Sequence, residues 1–260
     1  MTKRAILYCG QVREPALRRN VRGKPEKLRG ALLPVDDEEL GTDDSKIQCN
    51  SLDLSFRAAR ELGVEQDDIH ACVFREDLLP QDFVLQNNHP ATVDGLRRLV
   101  RSLISHAKPD DALLFVAVNH GNAAGLVTAD PVDEFGDASL APRLTPAALD
   151  DCLRALPGSQ VVVVATCHAG IFLPLSERAG RAVLVACAAD EQHLIPREDR
   201  AWSSFLEELF GAWCACSYSN IVPHPMRLPL DEAFARAHAR LAADKAKTLP
   251  LRAGSAEWPA

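Results

Sequence analysis

Residues 113–121 read LLFVAVNHG, and residues 161–170 read VVVVATCHAG. Each stretch is a run of apolar residues, rich in β-branched side chains, that stops abruptly at polar residues. Such a run is typical of a buried strand in a parallel sheet, and open α/β sheets place their functional residues where those strands end. The two stretches therefore predict that His120 and Cys167 lie at the same edge of one sheet.

Apolar runs recur along the chain, and helical patterns separate most of them. This alternation favours an α/β fold, a three-layer sandwich in which a mostly parallel central sheet carries helices on both faces. The predicted strands cover residues 5–9, 69–74, 112–118, 160–165 and 182–187. The predicted helices cover residues 52–62, 92–107, 145–156, 203–216 and 230–247, the third of them opening with an N-cap at Thr145 and Pro146 in its first turn.

The histidine and the cysteine at the ends of these strands suggest nucleophilic chemistry. Only a thiolate attacks a carbonyl carbon, so a nucleophilic Cys167 needs a base, and His120 is the predicted one. The backbone N–H groups of Gly121 and Cys167 are the expected donors to an oxyanion. For either residue taken singly the alternative is an ordinary core position, since cysteine is among the most buried residue types. The joint pattern favours the dyad.

These motifs resemble those of a known group, the caspase and hemoglobinase superfamily of cysteine peptidases (clan CD), which includes caspases, metacaspases, legumains and gingipains. Residues 119–121, Asn-His-Gly, are similar to the legumain form of the histidine motif. Residues 167–170, Cys-His-Ala-Gly, are similar to the metacaspase form of the cysteine motif. The resemblance implies a caspase-hemoglobinase fold and an endopeptidase that forms a thioester acyl-enzyme at Cys167. Ala165 stands where metacaspases carry an acidic residue, so the subfamily stays open.

The resemblance also implies which loops line the substrate pocket. The loop after the strand that follows Cys167 carries Asp190, whose carboxylate would favour Arg or Lys in the substrate. The loop after the first strand carries Gln11 and Arg13, and Arg13 would instead favour an acidic residue. Of these two preferences, cleavage after Arg or Lys is the favoured prediction. Asp190 has an equally open alternative, which is to cap a turn or to pair with Arg197 or Arg200.

His168 is a second candidate for the base because it is the neighbour of Cys167 in the chain. Consecutive side chains that leave a strand point to opposite faces, so a direct bond between these two is geometrically awkward. We therefore expect His120 to be the base.

Composition excludes several classes of function. The 260 residues carry a net charge of −7, which gives no overall basic footprint for nucleic acid. No apolar stretch approaches the length of roughly 20 residues that a membrane span needs, and residues 1–4, Met-Thr-Lys-Arg, lead into a strand, so we expect a cytoplasmic protein without a membrane partner. The eight cysteines are scattered without metal-ligand spacing, which predicts reduced thiols, no metal and no cofactor.

The sequence predicts one peptidase domain over residues 1–247, with a charged and regulatory loop at 12–46 and a C-terminal tail at 248–260 that is poorly ordered unless Trp258 docks it. A second loop, 128–143, is a candidate lid or processing site. The expected partners are a protein or peptide substrate and an upstream activating protease. By family analogy we expect a bacterial effector zymogen of a stress or defence pathway. The alternative is a scaffold protein that keeps the fold and has lost catalysis.

Overall fold

A computed structural model describes residues 1–10, 43–73, 87–129, 142–192, 203–217, 227–244, 246 and 248–259. The predicted site residues Gln11 and Arg13 lie outside these ranges, as do Arg197, Arg200 and most of the loops predicted at 12–46 and 128–143.

The described residues form a seven-stranded sheet with the strand order β10-β9-β8-β4-β1-β2-β3. These strands are β1 (Lys3–Cys9), β2 (Ile69–Val73), β3 (Asn88–Pro90), β4 (Ala112–Val118), β8 (Ser159–Ala165), β9 (Arg181–Val185) and β10 (Leu251–Gly254). Every pairing in this sheet is parallel except that of β10 with β9. A second, three-stranded sheet contains β5 (Gly121–Asn122), β6 (Gly125–Val127) and β7 (Arg143–Leu144).

Helices cover both faces of the large sheet. They are α1 (Asp43–Glu61), α2 (Val93–Ile104), α3 (Pro146–Arg154), α4 (Ser204–Trp213) and α5 (Leu230–Ala243). Alternate residues of β4 divide between two cores, as a strand buried on both faces requires. Leu114 and Val116 belong to the core that includes α1, α4 and α5, while Leu113 and Phe115 belong to the core that includes α2 and α3. The predicted α/β fold with a three-layer arrangement is confirmed.

The helix boundaries follow from local chemistry. Thr145 and Thr92 have extended backbones, and their hydroxyl oxygens accept from the N–H groups of Ala148 and Gly95, which would otherwise lack partners at the helix start. Pro146 occupies the first turn of α3, where a missing N–H costs nothing. The predicted N-cap at Thr145, with Pro146 in the first turn, is confirmed.

Several predicted helix boundaries are corrected, and the largest differences are at the start of α1, predicted at 52, and at the end of α5. Helix α1 begins at Asp43, so the last residues of the loop predicted at 12–46 are helical. Asp43 and Asp44, which belong to the predicted charged loop, are thus the first two residues of α1. Helix α5 ends at Ala243, several residues before the predicted end at 247.

The segment predicted as a tail contributes to the sheet. Strand β10 pairs antiparallel with β9 from Leu251 to Gly254. Trp258 then donates its indole N–H to the carbonyl of Leu62 at 3.1 Å and meets Trp213 edge to face, with ring centroids 5.8 Å apart. Trp258 therefore docks this segment against the rest of the protein.

A buried ion pair lies at the amino edge of the sheet, opposite the strand ends that carry His120 and Cys167. Arg4 donates to Asp111 at 2.7 Å, and the same carboxylate accepts from the N–H groups of Thr2 and Lys108. Burial by itself would raise the pKa of Asp111, but these hydrogen bonds outweigh it and hold the pKa below its usual value. The carboxylate is therefore ionised in the folded protein.

Helix length and apolarity together decide whether a segment can cross a bilayer. None of the helices in the described ranges meets both requirements.

Candidate active site

The strands that carry His120 and Cys167 are neighbours in the sheet. Strands β4 and β8 run parallel and in register, with Val118 opposite Ala165. His120 lies two residues after Val118, and Cys167 lies two residues after Ala165. Both residues therefore leave the sheet at its carboxyl edge, at the place where ligands and substrates meet open α/β sheets.

A close backbone contact joins the two segments. A β-carbon on Gly121 would lie 2.6 Å from Oγ1 of Thr166 and 2.7 Å from the carbonyl oxygen of Cys167. Real β-carbons do not approach other atoms so closely, so only glycine fits at this position. The structure thus brings the residue after His120 directly against the turn that carries Cys167. Both His120 and Cys167 are half-buried.

The small sheet fixes the backbone of His120. The N–H of Val127 donates to the carbonyl of His120 at 3.0 Å, and the side-chain amide of Asn119 donates to the carbonyl of Val127. Gly10, which follows β1, leaves room for the carbonyl of Val127. A β-carbon on Gly10 would lie 1.9 Å from that carbonyl oxygen. The Asn-His-Gly motif of residues 119–121 does not predict this hydrogen bond of Asn119. No local signal reveals it, since the bond depends on the return of β6 to the end of β4.

Cys167 lies at the start of a tight turn. Residue His168 has a left-handed backbone (φ 56°, ψ 23°), and a 3-10 helix, Ala169–Glu177, follows it. The N–H of His168 donates to the carbonyl of Glu191 at 2.7 Å, and its ring Nδ1 lies 2.9 Å from the carbonyl oxygen of Ala189. Since a carbonyl only accepts, Nδ1 is the donor. The ring of His168 is therefore directed at the loop after β9.

Cys167 differs from the other thiols in its accessibility. Among the cysteines whose side chains the structure describes, Cys167 is half-buried and the other six are buried. Burial raises the pKa of Cys187 to about 11 and those of Cys72 and Cys216 to about 12, and it also raises the pKa values of Cys152 and Cys214. Such thiols stay protonated near neutral pH and are poor nucleophiles.

The loop after β9 lies beside the Cys167 turn. The sulfur of Cys187 is 3.3 Å from the carbonyl oxygen of Thr166 and 3.4 Å from that of Glu191. The side-chain carboxylate of Glu191 accepts from the N–H of Ala188 at 3.0 Å. Asp190, which lies between Ala188 and Glu191 in the chain, is exposed. The structure therefore places Asp190 in a loop that contacts the Cys167 turn.

The described ranges contain no cluster of three or more His, Cys, Asp or Glu side chains arranged to hold a metal ion. His70 and His89 lie close together, with ring centroids 5.7 Å apart, but they are a pair on β2 and β3. Burial and the neighbouring His89 and Arg4 lower the pKa of His70 to about 4.

Comparisons with known proteins find similarity in the fold and none in the sequence. No protein-family model matches this chain. No curated protein sequence matches it either. The fold is similar to the crystal structure of a secreted C11 cysteine protease from Bacteroides thetaiotaomicron in complex with an irreversible peptide inhibitor, with a TM-score of 0.43 and 11% sequence identity. The alignment covers 93% of this chain and 59% of that chain, so this chain spans less than two thirds of the length of that protease.

Proposed function

We propose that the chain is a cysteine endopeptidase in which Cys167 is the nucleophile and His120 the general base. The observation that carries this proposal is the contact of Gly121 with Thr166 and Cys167, because it brings the residue after His120 against the Cys167 turn. The half-buried state of Cys167 supports the same assignment, since a nucleophile must be reached by its substrate.

The proposed reaction has two stages. His120 takes the thiol proton, the sulfur of Cys167 attacks the carbonyl carbon of the scissile amide, and the N–H groups of Gly121 and Cys167 donate to the oxyanion. His120 then gives its proton to the leaving amine, and the C–N bond breaks to leave a thioester. Water attacks this thioester with His120 as base, which releases the acid and restores the thiol.

The rigid surroundings of His120 support this role. A general base must be held within hydrogen-bond reach of the proton it takes, and small displacements are costly. The bonds from Val127 to the carbonyl of His120 and from Asn119 to the carbonyl of Val127 keep this part of the backbone in place. The pairing of β5 with β6 thus fixes the backbone next to the imidazole of His120.

Peptide hydrolysis with matched variants tests the dyad. We expect a fluorogenic peptide library to be cleaved by the wild-type chain, and Cys167→Ala to lose at least about 10⁴-fold in kcat, because no other group replaces the nucleophile. Cys9→Ala, at a buried thiol of the same sheet edge, should keep its activity. Cleavage by Cys167→Ala at the wild-type rate would overturn the proposal, as would a wild-type chain that neither cleaves peptides nor forms an adduct with a peptidyl alkylating agent. The latter result would favour the scaffold function.

The preference for Arg or Lys is the finer part of the proposal, and it rests on Asp190. Its carboxylate is exposed in a loop that contacts the Cys167 turn, so it can meet a cationic side chain of a bound peptide. We expect Asp190→Asn to lower kcat/KM for Arg and Lys peptides by about tenfold, equivalent to about 1.4 kcal/mol, and to leave neutral peptides unaffected. Asp94→Asn, an exposed carboxylate on α2, is the control. Equal losses on all peptides would contradict the assignment.

Activation by an upstream protease in the bacterial cytoplasm, as part of a stress or defence pathway, stays a prediction. Hydrolysis measured before and after limited proteolysis tests it. Equal activity in both samples would contradict control by cleavage.

A further inference from the structure

The conformation of His168 is unusual for its residue type. Non-glycine residues seldom adopt the left-handed region, and in the described ranges only His168 and Ala215 do so. Such a conformation persists when surrounding bonds impose it, and it often marks a functional position. The hydrogen bonds of His168 therefore indicate the role of this left-handed conformation.

Two bonds tie His168 to the loop after β9, residues 187–191. The backbone N–H reaches the carbonyl of Glu191, and the ring Nδ1–H reaches the carbonyl of Ala189. In this left-handed turn, His168 gives both its backbone and its side-chain donor to the same loop. The bonds span the gap between the Cys167 turn and the loop that carries Asp190.

The loop has further contacts that depend on the same place. The carbonyl of Glu191 faces both the N–H of His168 and the buried sulfur of Cys187. Gly170 lies so near the loop that a β-carbon on it would be 2.4 Å from the N–H nitrogen of Ala189. The loop thus packs tightly against the turn, and its release would uncover Cys187.

We propose that His168 is a positioning residue that fastens the loop 187–191 to the Cys167 turn and so holds the substrate-binding carboxylate of Asp190 in register with the nucleophile. The inference rests on the proposed peptidase function. The bond from Nδ1 of His168 to the carbonyl of Ala189 makes the residue act through the loop, and the proposed function assigns proton transfer to His120.

Three variants of His168 separate this role from others. Asparagine places its Nδ2 donor where histidine has Nδ1, and it tolerates the left-handed region. Glutamine moves the donor one bond further out, and glycine keeps the backbone conformation without any side-chain donor. We therefore expect His168→Asn to behave like the wild type, while His168→Gln and His168→Gly release the loop. His106→Asn, at an exposed histidine, is the control.

The first measurement needs no activity. In the Cys167→Ser background, maleimide labelling of Cys187, followed by peptide mass spectrometry, reports the opening of the loop. We expect labelling at least tenfold faster in His168→Gln and His168→Gly than in the parent, and within twofold of the parent in His168→Asn and His106→Asn. Unchanged labelling in the glycine and glutamine variants overturns the inference, whether or not the chain cleaves peptides.

The second measurement is the kinetics of peptide cleavage with Cys167 intact. We expect His168→Gly and His168→Gln to raise KM at least fivefold with kcat within threefold of the wild type, and His168→Asn to restore KM. An unchanged KM beside faster labelling would overturn the inference and leave the proposed function standing. A collapse of kcat in His168→Asn as well would make His168 the base and overturn it too. A wild type that cleaves no peptide would overturn the proposed function. It would also overturn the inference that His168 positions Asp190 for a substrate.

Discussion

Gly121 and Thr166 lie against each other with no space for a side chain on the glycine, since its β-carbon would stand 2.6 Å from the threonine hydroxyl oxygen. This contact bridges the two strand ends and sets the distance between the histidine and cysteine segments. The hydroxyl of Thr166 is itself buried. A change at Gly121 therefore acts on the spacing of the site.

We predict that Gly121→Ala lowers kcat/KM for peptide cleavage by at least about 100-fold, the scale expected when an oxyanion donor is displaced. Adding Thr166→Ala should not restore activity, because the carbonyl of Cys167 would still lie 2.7 Å from the new β-carbon.

The control for this prediction is Gly180→Ala, at the opposite edge of the sheet. A β-carbon on Gly180 meets only the carbonyl of Gly158, at 3.9 Å, although its φ of +76° makes the change mildly strained. We expect a loss of about 1 kcal/mol in unfolding free energy and unchanged peptide cleavage. Equal activity losses in the two alanine variants would contradict the spacing argument.

Two adjacent carboxylates at the amino edge should differ greatly in their effect on stability. Asp111 is 4% exposed and bound to Arg4, whereas Asp110 is 63% exposed and pairs with the chain terminus. Replacing one partner of a buried ion pair leaves the other charge uncompensated, so we predict that Asp111→Asn costs about 3 kcal/mol in urea unfolding. Asp110→Asn should cost less than about 0.5 kcal/mol. Similar losses in both would show that the pair is solvated.

The lowered pKa of Asp111 also predicts the direction of acid sensitivity. The folded state binds this proton less readily than the unfolded chain, so the pair stabilises the fold above the unfolded pKa of 3.8. Its contribution is lost as the pH falls below that value. As the pH falls below 4, the unfolding free energy of Asp111→Asn should therefore decrease less than that of the wild type. Urea titration at each pH measures this difference.

The lowered pKa of His70 predicts a second decrease in unfolding free energy, at higher pH than that caused by Asp111. Burial and the neighbours His89 and Arg4 lower its pKa from 6.5 to about 4, so the unfolded chain takes up a proton that the folded protein refuses. The unfolding free energy should fall as the pH drops from 6.5 to 4, by at most about 3 kcal/mol from this group. His70→Gln should flatten the decline, and His106→Gln should not. Identical profiles for wild type and His70→Gln would contradict the burial of a neutral imidazole.

Much of the fold could be predicted because its strands are continuous apolar runs. The run 112–118 is buried along its whole length, and the predicted strand matches β4 to the residue. The N-cap at Thr145 could also be predicted, because a Thr hydroxyl accepts from a free N–H of the first turn and Pro is tolerated at that turn.

The elements that were missed depend on distant partners. Strand β3 has only the residues Asn-His-Pro, and β10 has four residues whose pairing with β9 is set by a segment far away in the chain. The left-handed turn at His168 likewise follows from bonds to Ala189 and Glu191, which no local pattern around Cys167 reveals. Sequence could therefore predict the neighbouring strands that lead to His120 and Cys167, but not the contacts of Gly121, Asn119 and His168 around the strand ends.

Covalent capture of the nucleophile tests the account most directly. The chain is treated with a peptidyl acyloxymethyl ketone, and the modified residue is identified by mass spectrometry in the wild type, His120→Ala and Cys9→Ala. We predict a single adduct on Cys167 that forms at the same rate in Cys9→Ala and at least about 100-fold more slowly in His120→Ala. An adduct on another cysteine, or equal rates with and without His120, would contradict the claim that these two residues form the catalytic dyad.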